Sequence, residues 1–318
     1  MIDGIRRGQW AAILIGTALL ALALPAFGLV PTRNSCAMAI AIMTVAVVLL
    51  AWRRPPAELR APLALAEPYL LFAAISLVTA AASYIAMRSG QPFVDPLLDR
   101  ADAAIGLSWP AIRRAVIERP ALHALLQCCY LACFITPPLV LALLWLTGRH
   151  ERMYRLTAAH AVGGTLTVLI FSLAPAEAAF AYYAGALGTG AIPDNARDYG
   201  EAIAQLHRAG PVAIDLARLS GIVTFPSYHA TLAILMAWAA WPLRWLRLPN
   251  LAVHVPMFLA AVPIGGHYGV DLIGGTAVAV VAIALATRGT PRLQTTSRAG
   301  LFRRTRGRRD VAGTGIAC

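Results

Sequence analysis

His229, His267 and Asp271 are the residues of this chain best placed to do chemistry, each at the edge of a long apolar run. His267 and Asp271 are four positions apart. On a helix they share one face, where the carboxylate can hydrogen-bond the imidazole. A His held by a carboxylate, with a second His nearby, supplies a nucleophile, its orienter and a proton donor. His229 ends the run Thr224-Phe225-Pro226-Ser227-Tyr228-His229. Pro226 suits the first turn of a helix, because it lacks the N–H that would be orphaned there. The amides near Ser227 and Tyr228 then point outward, as donors that bind phosphate at helix N-termini, and the Ser227 hydroxyl can add to them. His267 follows Gly265-Gly266, which permit close backbone approach.

The elements that must position these residues are membrane helices. Hydrophobic residues make up 59% of the chain and charged residues 13%, with a mean hydropathy of +0.67, outside the range of soluble domains. Runs of about the 17–25 apolar residues that cross a bilayer read at 10–29, 35–52, 67–87, 121–146, 156–180, 228–246, 251–266 and 269–288. The predicted fold is an all-α integral-membrane protein, a polytopic bundle of eight helices. The first run follows Arg6-Arg7 as a signal peptide would. A second span follows almost at once, so the first is read as retained.

All 27 basic residues are Arg, and the net charge is +12. Eight of them lie from Arg288 to Arg309, which reads as a cytoplasmic, disordered tail at 289–318 rather than a nucleic-acid surface. Eighteen arginines, the tail included, fall on one set of loops and nine on the other. The arginine-rich side is cytoplasmic, which puts both termini inside and both His229 and His267 at the outer face. Residues 88–120 carry Asp95, Asp99 and Asp102 at near-helical spacing, and read as an interfacial amphipathic helix with a solvated acidic face. Residues 181–220 form a long polar loop, read as a lid or wall of the site. Cys128, Cys129 and Cys133 lack metal-type spacing and read as packing, as do His160 and His254.

Pro226-Ser227-x-His229 followed by His267-x-x-x-Asp271 resembles the second and third signatures of the type-2 phosphatidic acid phosphatase superfamily. Phe225 and the Gly-Gly-His-Tyr context look most like its inositol phosphorylceramide synthase branch. The resemblance is firm over about residues 215–285, looser back to about 67 and absent before that. It implies a six-helix phosphatase-type core at 61–288, with two extra N-terminal transmembrane helices at 1–60. It implies that His267 attacks phosphorus and forms a phosphohistidine, that His229 protonates the leaving oxygen, and that Asp271 orients His267. It implies no metal and no cofactor. The first signature, Lys-x6-Arg-Pro, cannot be present in a chain without Lys. Arg113 to Arg119-Pro120 approximates it with the wrong spacing, at the start of the fourth span. The phosphate clamp is therefore sought elsewhere. Arg218, just upstream of the second motif, is the first candidate; Arg208 and then Arg197 follow.

The reading is a membrane phosphotransferase or phosphatase acting on a lipid-linked phosphate ester, with an alcohol or water as acceptor. Ser227, Tyr228, Arg218 and Arg208 are the substrate-binding candidates. Two other classes stay open. One is an intramembrane metal hydrolase using His229, His267 and Asp271 as ligands. The other is a transporter or scaffold with an inert His–Asp pair.

Overall fold

Thirteen helices and one two-stranded ribbon account for the secondary structure of the described residues, apart from short 3₁₀ turns. The structure is a computed structural model and describes residues 2–51, 57–184, 194–208, 210–215 and 221–288. In chain order the helices are α1 (Ile2–Ala26), α2 (Arg33–Ala51), α3 (Ala57–Met87), α4 (Asp95–Ala104), α5 (Trp109–Ile117), α6 (Pro120–Leu131), α7 (Thr136–Leu146), α8 (His150–Leu173), α9 (Ala179–Tyr182), α10 (Asp194–His207), α11 (Tyr228–Ala240), α12 (Arg247–Ala260) and α13 (Gly269–Thr287). The fold is an all-α polytopic membrane bundle.

Five of these helices are long and apolar enough to cross a bilayer: α1, α2, the part of α3 from Pro62, α8 and α13. The expected span 121–146 is broken. α6 and α7 meet at 55° across a turn of 3₁₀ helix, Ala132–Phe134. Pro137 and Pro138 follow that turn, and neither has an N–H to continue the ladder. Counted as one, the pair is a sixth span. The expected spans 228–246 and 251–266 are corrected. α11 has 13 residues and α12 has 14, each close to 20 Å at about 1.5 Å per residue, short of the roughly 30 Å hydrocarbon core. α11 ends at Ala240, and the chain turns at Trp241 and Pro242. The expected span 156–180 also ends early, at Leu173, and residues 174–178 form a strap across the site described below.

α3 and α8 pack along each other, and α11 lies against α7, α8 and α12. Leu232, Leu235, Met236 and Ala239 of α11 are buried in this core with Leu71, Leu144 and Leu156. α1 joins it through Trp10 and Ile13 and through a polar cluster at helix depth. Arg6 and the Trp10 indole both donate to Oε1 of buried Glu67, at 2.9 and 2.8 Å, while the Tyr154 hydroxyl donates to Oε2 at 3.2 Å. A charge so buried is tolerated because it is paired and hydrogen-bonded.

The ribbon pairs β1 (Leu29–Pro31) in parallel with β2 (Val212–Ile214), with Leu29 opposite Val212. The stretch read as a long polar loop thus holds structure of its own. α10 buries Ile203 and Leu206, and β2 buries Ile214. Residues 185–193 and 216–220, and the tail from 289, lie outside the described residues.

Candidate active site

The site forms where the N-termini of α11 and α13 cross. Ser227 is the N-cap of α11: its hydroxyl oxygen accepts from the Ala230 amide at 3.4 Å. Its own amide donates to the Asp271 carbonyl at 3.0 Å. Pro226 therefore sits before the cap rather than in the first turn, and the Ser227 amide and hydroxyl are spent on structure. Ser227 is fully buried. The amides of Tyr228 and His229 are the donors of that turn with no partner inside the helix. The crossing is close: a Cβ on Gly275 would lie 2.3 Å from the Ser227 carbonyl oxygen.

His267 lies just before α13 and Asp271 in its first turn, so the two meet across the helix start rather than on one helical face as expected. His267 Nδ1 lies 2.7 Å from the Thr224 carbonyl oxygen and 3.3 Å from Asp271 Oδ2. Both partners can only accept, so Nδ1 carries the ring hydrogen and Nε2 keeps its lone pair. Asp271 Oδ2 also accepts from the Tyr268 amide at 2.9 Å. The turn that presents His267 depends on Gly266. Its φ is +72°, and a Cβ there would lie 2.2 Å from the Phe180 ring.

His229 and His267, 38 positions apart in sequence, come to a ring-centroid distance of 6.2 Å, close enough for one phosphoryl group to touch both. His229 is positioned by a residue the sequence did not single out, Tyr130 of α6. The two rings stack at 4.1 Å and 19°, with the Tyr130 hydroxyl 3.3 Å from His229 Nδ1. The Tyr228 side chain turns the other way. Its hydroxyl meets His160 Nδ1, while His160 Nε2 lies 2.8 Å from the Ser76 hydroxyl and the His160 ring stacks on Phe72.

The three aspartates of α4 do not form a solvated face. Asp95 and Asp102 are buried, and their carboxylates are satisfied by the backbone around the site. Asp102 accepts from the amides of Gly269 and Val270 at 2.7 and 2.8 Å, so a helix far away in sequence caps α13. Asp95 accepts from the Glu177 amide at 2.9 Å and the Tyr268 hydroxyl at 3.2 Å. Asp99 accepts from the Tyr183 hydroxyl. Burial raises the Asp95 carboxyl above its ordinary value, and the two donors oppose this only in part. Burial also raises Glu177, and the nearby Asp95 charge adds to the shift.

The strap and α5 hold the rest. Thr224 donates its hydroxyl to the Ala176 carbonyl at 2.7 Å, and the Ala179 amide donates to the Gly266 carbonyl at 2.9 Å. Trp109 and Arg113 donate to the Val262 and Pro263 carbonyls at 2.9 and 2.8 Å. The Arg113 guanidinium also lies over the Phe180 ring, 5.3 Å from its centroid, and burial lowers its pKa.

Of the clamp candidates, Arg218 lies outside the described residues, as does the side chain of Arg197. Arg208 is exposed, and its carbonyl accepts from Arg88 at 2.7 Å. Among the described residues, no three His, Cys, Asp or Glu side chains group as a metal site would require.

No curated protein and no solved structure matches the chain. The sequence model of one family does match, over residues 96–285. That stretch holds α4 from its second residue, α5 to α12 and nearly all of α13, and so His229, His267, Asp271 and their braces Tyr130, Thr224 and Asp102. The chain belongs to the PAP2 superfamily.

Proposed function

We propose that this protein transfers a phosphoryl group from a lipid-linked phosphate ester through a covalent phosphohistidine on His267. Membership in a superfamily of phosphatases supports the general class, a membrane enzyme acting on lipid phosphates. The observation that carries the specific reading is the double anchoring of His267 Nδ1, on Thr224 at 2.7 Å and Asp271 at 3.3 Å.

With its hydrogen held on Nδ1, His267 attacks phosphorus through Nε2. The bond from phosphorus to the ester oxygen breaks, and His229 gives its Nε2 proton to that oxygen. The Asp271 carboxylate stabilises the positive charge that develops on the ring. In the second step an acceptor hydroxyl attacks the phosphohistidine. His229 takes its proton, and His267 is restored.

His229 acts as the imidazolium: its Nδ1–H donates to the Tyr130 hydroxyl oxygen, 3.3 Å away, its Nε2–H goes to the leaving oxygen, and the neutral ring that remains has Nε2 free as the base of the second step. The amides of Tyr228 and His229 and the guanidinium of Arg218 balance the phosphoryl charge. With an alcohol as acceptor the reaction is the transferase chemistry of an inositol phosphorylceramide synthase; with water it is that of a phosphatase. The arginine asymmetry supports a site at the extracytoplasmic face with both termini cytoplasmic, and we place that site in the plasma membrane.

The test is to quench purified protein with a labelled lipid phosphate and look for acid-labile, base-stable phosphate. His267→Ala should give neither label nor turnover. His229→Ala should lose roughly 10²–10⁴ in rate, the usual contribution of a general acid, yet still accumulate label from a substrate with a good leaving group. Label persisting in His267→Ala would overturn the mechanism.

A further inference from the structure

A cavity of about 460 Å³ lies between α3, α7, α8 and α11, within the ~300–1,000 Å³ range of ligand sites. His229 forms part of its wall, so the cavity borders the proposed active site. Tyr69 and Phe134 line it too, and they are 48% and 75% exposed on the outside of the bundle. The cavity therefore reaches the surface that faces lipid. α3 and α8 both contain spans, which puts that opening at bilayer depth and makes the membrane the source of whatever enters.

Most of the lining is apolar, and its polar groups are nearly all satisfied. Ser76 donates to the Phe72 carbonyl at 3.0 Å, Thr79 to Ile75 at 2.8 Å and Ser83 to Ala80 at 2.6 Å. Because Ser76 spends its one hydrogen there, His160 Nε2–H donates to Ser76 and His160 Nδ1 accepts from Tyr228. That leaves His160 neutral and fully paired. Thr167 of α8 is the exception. It lines the cavity, is 1% exposed, and its hydroxyl has no hydrogen-bond partner. A helical Thr can return its hydrogen to the preceding turn, and a buried hydroxyl that does not is costly to keep.

We infer that the cavity takes the hydrocarbon chain of the lipid substrate, and that Thr167 donates a hydrogen bond to the carbonyl at the head of that chain. The substrate is then an acyl lipid, joined through an ester or an amide. A polyprenyl phosphate has no acceptor to offer at that point. The inference rests on the lipid-phosphate reading for its kinetics but not for its binding.

The test uses the full chain in mixed micelles, with Thr167→Val, which removes the hydroxyl and keeps the shape. Wild type should turn over dioleoyl phosphatidate with about tenfold higher kcat/KM than its dialkyl ether analogue, the size of one neutral hydrogen bond. It should be slower still on polyprenyl phosphate. Thr167→Val should erase that preference by slowing the diacyl substrate alone. Equal loss on both substrates, or polyprenyl phosphate as the best substrate, overturns the inference. A second arm needs no turnover: a diazirine-bearing acyl phosphatidate is photo-crosslinked to the protein. Label should fall on α3 and α8, and unlabelled diacyl lipid should compete about tenfold better than dialkyl lipid in wild type but not in Thr167→Val. If nothing is hydrolysed yet this competition holds, the phosphotransfer reading fails and the cavity assignment stands. Label spread evenly over the outer surface of the bundle overturns the assignment.

Discussion

His267 gives its Nδ1 hydrogen first to the carbonyl of Thr224, at 2.7 Å, and only second to the carboxylate of Asp271, at 3.3 Å. In a Ser-His-Asp triad the carboxylate alone fixes the tautomer, and its amide replacement costs about 10⁴ in rate. Here a backbone acceptor that no side-chain substitution removes shares that task. Asp271→Asn should therefore keep the reactive tautomer and lose only the charge opposite the imidazolium. The expected loss is roughly 10²-fold in kcat, well below the full triad penalty, with the Tyr268 amide still accepted by the new side-chain oxygen. Single-turnover rates measure it. A loss of the full triad size would show that Thr224 does not hold the ring.

Asp102 is the next most informative position. Its carboxylate caps Gly269 and Val270 with bonds of 2.7 and 2.8 Å, each worth about 1.5–3 kcal/mol because the acceptor is charged. Asp102→Ala should lower unfolding stability by about 3 kcal/mol, the low end of losing both, and should lower kcat more than it raises KM. Asp102→Asn, which can accept only through its one oxygen, should fall between. Denaturant unfolding in detergent separates the three proteins.

Stability should also depend on pH through Asp95 and Glu177. Both carboxyls have folded pKa values above their ordinary 3.8 and 4.5. Between the unfolded and folded values the native state binds more protons, so stability falls as pH rises through that window. Asp95→Asn can still accept from the Glu177 amide and donate to the Tyr268 hydroxyl oxygen. It should flatten that slope and match or exceed wild type at neutral pH. Thermal midpoints from about pH 4 to 8 would show it; an unchanged slope would place the dependence elsewhere.

Tyr130→Phe keeps the stack on His229 and removes the 3.3 Å hydrogen bond. The expected cost is about 1 kcal/mol, or roughly fivefold in kcat. Tyr130→Leu removes the stack as well and should cost about 0.5–1.5 kcal/mol more. Both losses should shrink with an aryl phosphate whose leaving group needs no proton. A loss independent of the leaving group would make Tyr130 a packing residue only.

The candidates His229, His267 and Asp271 stood out in the sequence because each has a rare type at an apolar edge, but the shared helical face did not form: His267 precedes α13 and reaches Asp271 from a non-helical turn. What the sequence left hidden has a physical reason in each case. Three acids at near-helical spacing look the same whether water or buried amides satisfy them, and the amides that satisfy Asp102 lie 167 residues away. Thr224 acts through its backbone, which residue type does not report. Tyr130 sits in an apolar run that gives no sign of the histidine beside it. Hydropathy over 228–246 sees a continuous span, while the chain turns near Pro242.

The ribbon between Leu29–Pro31 and Val212–Ile214 decides how much of this chain is portable. The family match begins at residue 96, which suggests a natural cut for a minimal catalytic fragment or a chimera. Such a cut discards β1 and also Arg88, whose guanidinium holds the carbonyls of Arg208 and Gly210 at 2.7 and 2.8 Å. The chain leading into the Pro-Ser-Tyr-His motif would then start from an open edge with its moorings gone. A transplantable module therefore has to keep β1 and Arg88 with the matched region, and a donor helix hairpin that replaces α1 and α2 has to bring a matching strand.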